Sequence, residues 1–172
     1  GGYPGMAALI GSYLFEEPVL LSRIYWRDDD TTQEYWADPG AVGKRPPHIP
    51  LYVLMSRQTF SAGEGFAAAL QSRKRATLVG EKTDGGAHPG ASYRLHANFE
   101  AFIPIGRVID PVTGRDWEGV GVTPDVGVPP EQALSVAFRM ALEGIIASMG
   151  EPVSGPTSQL LSEAQAALKG FT

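Results

Sequence analysis

At 172 residues, 43% apolar and 19% charged, the chain has the size and make-up of one ordinary globular domain and is short for two. A formal charge of −5 with scattered Lys and Arg argues against a nucleic-acid surface, which needs clustered cations against phosphates. The absence of cysteine excludes disulfides, thiol catalysis and Cys-built zinc sites, and no apolar run is long enough to span a membrane.

Taken in order, Gly1 to Gly5 is a glycine-rich turn, and Met6, Leu9, Ile10, Tyr13 and Leu14 predict a helix over 4–15 with Pro4 near its start. Residues 19–27 and 31–37 are rich in branched and aromatic side chains. With Asp28, Asp29 and Asp30 as the turn, they predict a hairpin that leans on the core or covers a cleft. Residues 38–50, rich in Pro and Gly, read as an ordered loop in which His48 is solvated.

The run Leu51-Tyr52-Val53-Leu54-Met55 predicts a buried strand, Ala76 to Gly80 a second, and the stretch between them a helix beginning at Ser61. Strand, helix, strand in this order predicts a right-handed crossover in a parallel sheet. Arg73, Lys74 and Arg75 end the helix, where they read as a solvated C-terminus that complements its dipole. The irregular stretch 81–90, EKTDGGAHPG, follows the carboxyl end of a parallel strand and is expected to return towards Ser61.

Residues 91–95 and 100–110 read as two antiparallel strands, 110–114 as a turn, and 117–125 as a glycine-rich crossing. A helix is predicted from Pro129 and Pro130 to about Gly150, with Ala133, Leu134, Ala137, Phe138, Ala141, Leu142 and Ile145 on one face. Residues 159–169 form a modest amphipathic helix after a polar connection. The organisation expected is a main domain over 1–150 and a partly helical extension over 151–172.

Chemistry centres on Ser61. A serine at a strand-to-helix junction points its hydroxyl out beside N–H groups that have no partner inside the helix, which suits an activated nucleophile. Ser61 with Glu64 three residues on is equally a capping box, and a hydroxyl locked as a cap is a poor nucleophile. A nucleophile also needs a base, a group that orients the base, and oxyanion donors. Ala62, at the helix start, and the glycines at 1 and 2 are candidate donors; His88, in the loop after the second strand, is the best-placed of the three histidines as a base. His96, on a strand near a turn, reads as structural. A metal site from Asp84, His88 and His96 has no recognisable ligand spacing, and no metal or cofactor is expected.

Several motifs in order, Ser61-Ala62-Gly63-Glu64 after 52–55, then 75–81, Gly85-Gly86-Ala87-His88-Pro89 and Gly121-Val122-Thr123-Pro124-Asp125, resemble the tail-specific, or C-terminal processing, serine peptidases. The nearest branch is similar to interphotoreceptor retinoid-binding protein and the tricorn core protease. The resemblance covers about residues 1–143. It implies an α/β fold of the crotonase and Clp-protease kind, a β/α spiral incomplete at its amino-terminal end, with Ser61 as acylating nucleophile. It also implies that Gly1-Gly2 close a family motif whose glycine, at Gly2, joins Ala62 in the oxyanion hole.

One departure is informative. Where the bacterial processing peptidases carry the lysine of a Ser-Lys dyad, this sequence has Gly86. The tricorn-like branch uses Ser, a His from upstream sequence, and a Glu shortly before the Gly-Val-x-Pro-Asp motif, the position held here by Glu118. The expectation is therefore a serine endopeptidase with Ser61, Glu118 and either His88 or an upstream histidine, acting on a peptide or protein substrate. The abrupt start at Gly1-Gly2 suggests a piece of a longer protein, whose missing amino-terminal segment would be a partner and which is expected to be soluble, secreted or periplasmic; a homo-oligomer stays open. The rival reading is a non-catalytic binding module for hydrophobic ligands, walled by Tyr25, Trp26, Tyr35 and Trp36.

Overall fold

The computed structural model describes residues 1–43, 49–149 and 156–170, so His48 lies outside the described residues. Helix α1 (Pro4–Gly11) ends four residues earlier than its apolar spacing predicts. The cause is packing. A Cβ on Gly11 would lie 2.8 Å from Leu21 Cδ1 and 3.0 Å from Ala37 Cβ, so the helix stops where it meets the hairpin. Buried Ser12 fixes that corner by donating to Ala8 O at 3.0 Å and accepting the Asp38 N–H at 2.9 Å.

The hairpin strands β1 (Val19–Trp26) and β2 (Thr31–Ala37) pair antiparallel as expected. The other edge of β1 takes a third strand, which resolves how the arm is supported. Residues 100–110 are not one strand but two: β6 (Phe99–Pro104) pairs with β5 (Gly90–His96), and β7 (Gly106–Ile109) pairs with β1. The change of sheet falls at Ile105, where the Ile105 and Gly106 N–H groups both donate to the Pro89 carbonyl, at 3.1 and 2.9 Å.

The predicted parallel unit is present. Strand β3 (Tyr52–Met55), helix α2 (Ala62–Ser72) and strand β4 (Thr77–Gly80) run with Tyr52 opposite Thr77 and Met55 opposite Gly80, and β8 (Val126–Gly127) adds in parallel to β4. Helix α3 (Pro130–Met149) closes one face, burying Ala133 and Ala137 against Val79, and α4 (Pro156–Lys169) packs on α3. The main core gathers Ile24, Met55, Ala67, Leu78 and Val108 from both three-stranded sheets and α2, with Trp117 and Val122 from the irregular stretch between β7 and β8. The larger aliphatic side chains among them each contribute roughly 1.5–3 kcal/mol on burial, which ties the two sheets and the helix into one α/β unit.

The end of α2 is not the solvated cationic cap the sequence suggested. The Arg73 side chain is only 10% exposed; it donates to Ala69 O and Leu20 O and faces Asp110. Arg75 reaches Leu14 O at 2.6 Å and Ile49 O at 3.1 Å. Both arginines hold distant carbonyls, which only the folded chain brings near.

Candidate active site

Strand β3 delivers the chain to a tight turn, in which Thr59 N–H donates to Ser56 O at 2.9 Å, and α2 starts immediately after Ser61. Ser61 has φ 55° and ψ −123°, one of three non-glycine residues with positive φ among the described residues. Such a conformation costs about 1–3 kcal/mol and persists only where its surroundings hold it. Here Glu64 holds it. That side chain is fully buried and accepts the Ser61 N–H at 2.7 Å, the Gly85 N–H at 2.9 Å, the Gly86 N–H at 3.0 Å and the Thr83 hydroxyl. Hydrogen bonds to a charged group contribute about 1.5–3 kcal/mol each, so the set outweighs the strain. The Ser61 side chain faces the Glu64 N–H in the capping-box arrangement without making a cap hydrogen bond to it. Glu64 supplies one half of that box through its bond to the Ser61 N–H, and the Ser61 oxygen faces the Glu64 N–H in the other half.

Ala62 is the first residue of α2, where an N–H has no intrahelical acceptor. A Cβ built on Gly1 would lie 3.6 Å from Ser61 Cβ, so the amino-terminal glycine turn does lie alongside. A Cβ on Gly2 would meet nothing within 4 Å. Ser61 and Ala62 line the rim of a pocket whose walls are apolar: Leu21, Ile24, Phe66, Val108 and Trp117, with Ala87 and Pro89 from the 81–90 loop. Of the four hairpin aromatics, Tyr35 lines this pocket, whereas Trp36 is exposed and Tyr25 is bonded to Asp30.

The 81–90 loop returns to Ser61 as expected, and a second loop fixes it. The Thr83 N–H donates to Val122 O at 3.1 Å, and the Gly119 N–H donates to Gly85 O at 2.9 Å. Gly121, at φ 72°, lies so close to Thr83 that a Cβ there would overlap the Thr83 carbonyl. Glu118 Oε2 accepts the N–H groups of Ala87 and His88 at 2.6 and 2.9 Å. The structure thus brings Glu118 and His88 together, with His88 Nδ1 3.9 Å from Glu118 Oε2 and Nε2 3.4 Å from Asp116 Oδ2. Neither His88 nor Glu118 is among the residues that line the Ser61 pocket, though Ala87 and Pro89 on either side of His88 are.

Asp116 is the residue that sequence reasoning missed. Burial pushes its carboxyl up, but the Glu118 N–H, the Arg107 guanidinium at 3.2 Å and His88 together outweigh this and hold it below the usual carboxylate range. Its signal in the sequence, an acid two residues before Glu118, is too common to single out. The residues of the weighed metal site are dispersed to different partners: Asp84 pairs with Arg57, His88 with Asp116, and His96 stacks obliquely on Phe99. Among the described residues no three potential ligands come together.

A serine held in a strained strand-to-helix turn, beside the Ala62 N–H at the helix start and an apolar pocket, is the arrangement of the serine-hydrolase class. Comparison with known proteins gives the family. Residues 1–128 match the model of peptidase family S41, and the chain belongs to that family. It is 32% identical over 124 residues to the carboxyl-terminal-processing protease of Picosynechococcus sp., covering 69% of this chain and 30% of that protein. It is 35% identical over 106 residues to carboxyl-terminal-processing peptidase 1, chloroplastic, of Arabidopsis thaliana, covering 57% and 22%. Among solved structures, the photosystem II D1 C-terminal processing protease superposes with a TM-score of 0.60 at 30% identity, over 76% of this chain and 32% of that one. Mature CPAF complexed with lactacystin shares the fold, with a TM-score of 0.63 at 13% identity over 95% and 43%. The chain spans less than a third of the length of these curated relatives.

Proposed function

We propose that the protein is a serine endopeptidase that cleaves peptide or protein substrates through an acyl-enzyme on Ser61. The observation that carries the reading is the Ser61 backbone, strained at φ 55° yet held there by a buried carboxylate, at a residue that lines the apolar pocket. In this reading the Ser61 oxygen attacks the scissile carbonyl, and the tetrahedral oxyanion is met by the Ala62 N–H and by the glycine turn at 1–2. Glu118 orients the base. Because His88 is turned to Asp116 and Glu118, a histidine from sequence preceding this chain is the preferred base and His88 the alternative. The finer architecture belongs to the same proposal: a crotonase- and Clp-like β/α spiral over 1–150, with 151–172 as an extension. The parallel β3-α2-β4 unit and the family relationship support it. A secreted or periplasmic location is also part of it and is checked by cell fractionation. Among the described residues no helix is long and apolar enough to cross a membrane.

The apolar pocket beside Ser61 favours one second reading, a module that binds hydrophobic ligands without cleaving anything. A fluorophosphonate probe separates the two. It is applied to this chain and to the full open reading frame, and the adduct is mapped by mass spectrometry. Adduct on Ser61 that disappears in Ser61→Ala supports the peptidase, and adduct only in the longer protein places the base upstream. Two folded, unlabelled proteins that bind a fluorescent fatty acid support the binding module.

A further inference from the structure

We infer that Glu64 is a positioning residue for Ser61, a role that rests on the peptidase reading and goes beyond capping the helix. A cap at this position needs one bond, from the Ser61 N–H to the glutamate. Glu64 makes that bond and three more, and its side chain is wholly excluded from solvent. The bonds divide between its two oxygens in an informative way. Oε1 takes the Thr83 hydroxyl and the Gly85 N–H, both from the 81–90 loop. Oε2 takes the N–H of Ser61 and the N–H of Gly86, so a single oxygen joins the nucleophile to the loop that runs past it.

A bond to the Ser61 N–H fixes the peptide plane before Ser61, and the rotation of Ser61 about its N–Cα bond is then measured from a fixed plane. Where that rotation sits decides where the hydroxyl points. Phe60, inside the same peptide plane, has its ring over Gly86 and so braces the same two segments from the other side. Thr83 is held in turn, since its hydroxyl also accepts the Val122 N–H at 2.8 Å. The carboxylate therefore couples the aim of the Ser61 hydroxyl to the seating of the 81–90 loop on residues 119–122. Without it, Ser61 relaxes towards ordinary negative φ and its oxygen swings off the line of attack.

The test follows fluorophosphonate inactivation of the full open reading frame and separates the limiting rate, kinact, from the half-saturating concentration, KI. In Glu64→Gln, where one oxygen is gone, kinact is expected to fall about tenfold or more with KI within about twofold of wild type, measured well below the melting temperature. A role confined to helix stability lowers the melting temperature and leaves kinact unchanged, and that result overturns the inference. If Glu64→Gln does not fold, Thr83→Val decides: it touches neither Ser61 nor the probe, so a lowered kinact supports the coupling through Glu64 and an unchanged one overturns it. A wild-type protein that is folded and never labelled overturns the peptidase reading itself, and this inference falls with it.

Discussion

The ring of Phe60 occupies the space that any side chain on Gly86 would need: a Cβ built there would overlap the far end of the ring. Phe60 is half exposed and can swing outward, so Gly86→Ala is expected to cost only about 1 kcal/mol. In a Phe60→Ala background that cost disappears. Urea unfolding of the four proteins in a double-mutant cycle checks it, and strict additivity would show that the ring is not the obstacle. The same obstruction means that a lysine placed at 86 needs Phe60 displaced before it can reach Ser61.

Ser61→Gly and Ser61→Ala are both expected to lose fluorophosphonate labelling, yet to differ in stability. Alanine keeps the positive φ and its strain, whereas glycine adopts it freely and at some cost in chain entropy. The glycine variant is expected to be the more stable of the two by about 1 kcal/mol. Equal midpoints in urea would mean that the turn at Ser61 stores no strain.

Gly121→Ala is a harsher change, because its obstacle is the backbone of Thr83, which has no rotamer to yield. With positive φ added, the loss is expected at about 3 kcal/mol. Thermal unfolding measures it. Loss of Ser61 labelling is expected at the same time, since the 81–90 loop is seated on this residue.

Asp116 sets a pH dependence. Its carboxyl titrates lower in the folded chain than in the unfolded one, so its contribution to stability is complete above the unfolded value, about 3.9, and is lost as pH falls through the folded value. The difference in unfolding free energy between wild type and Asp116→Asn is therefore expected to shrink as pH falls below about 4. A difference that stays flat down to the acid limit would show that Asp116 gains nothing from Arg107, His88 and the Glu118 amide.

Much of this was legible in the sequence. The run 51–55, the helical spacing after Ser61 and the short apolar stretch 76–80 carry their own periodicity, and the structure has β3, α2 and β4 there. Ser61 stood out because a local pattern marks it. Asp125, read only as part of a motif, proves to hold the Leu78 N–H at 2.7 Å and Gln71 Nε2 at 2.8 Å, tying the strand to the helix. What was not legible depends on distant partners. The break between β6 and β7 was signalled only by Pro104 and Gly106, and its cause is the Pro89 carbonyl. Arg73 looks like a surface cation until it meets Leu20, 53 residues away. Glu64 read as an ordinary capping acid because its other three donors lie 19 to 22 residues further along.

That spacing matters while the chain is being made. Ser61 leaves the ribosome before Thr83, Gly85 and Gly86 do, and well before Gly119 and Val122 have arrived to seat them. Until then Glu64 has only its own helix start to bind, and the serine is an ordinary alcohol in an unstrained turn. If Ser61 is the nucleophile proposed above, a nascent or locally unfolded chain does not yet hold it in place, because the bonds that fix its φ of 55° exist in the closed structure alone.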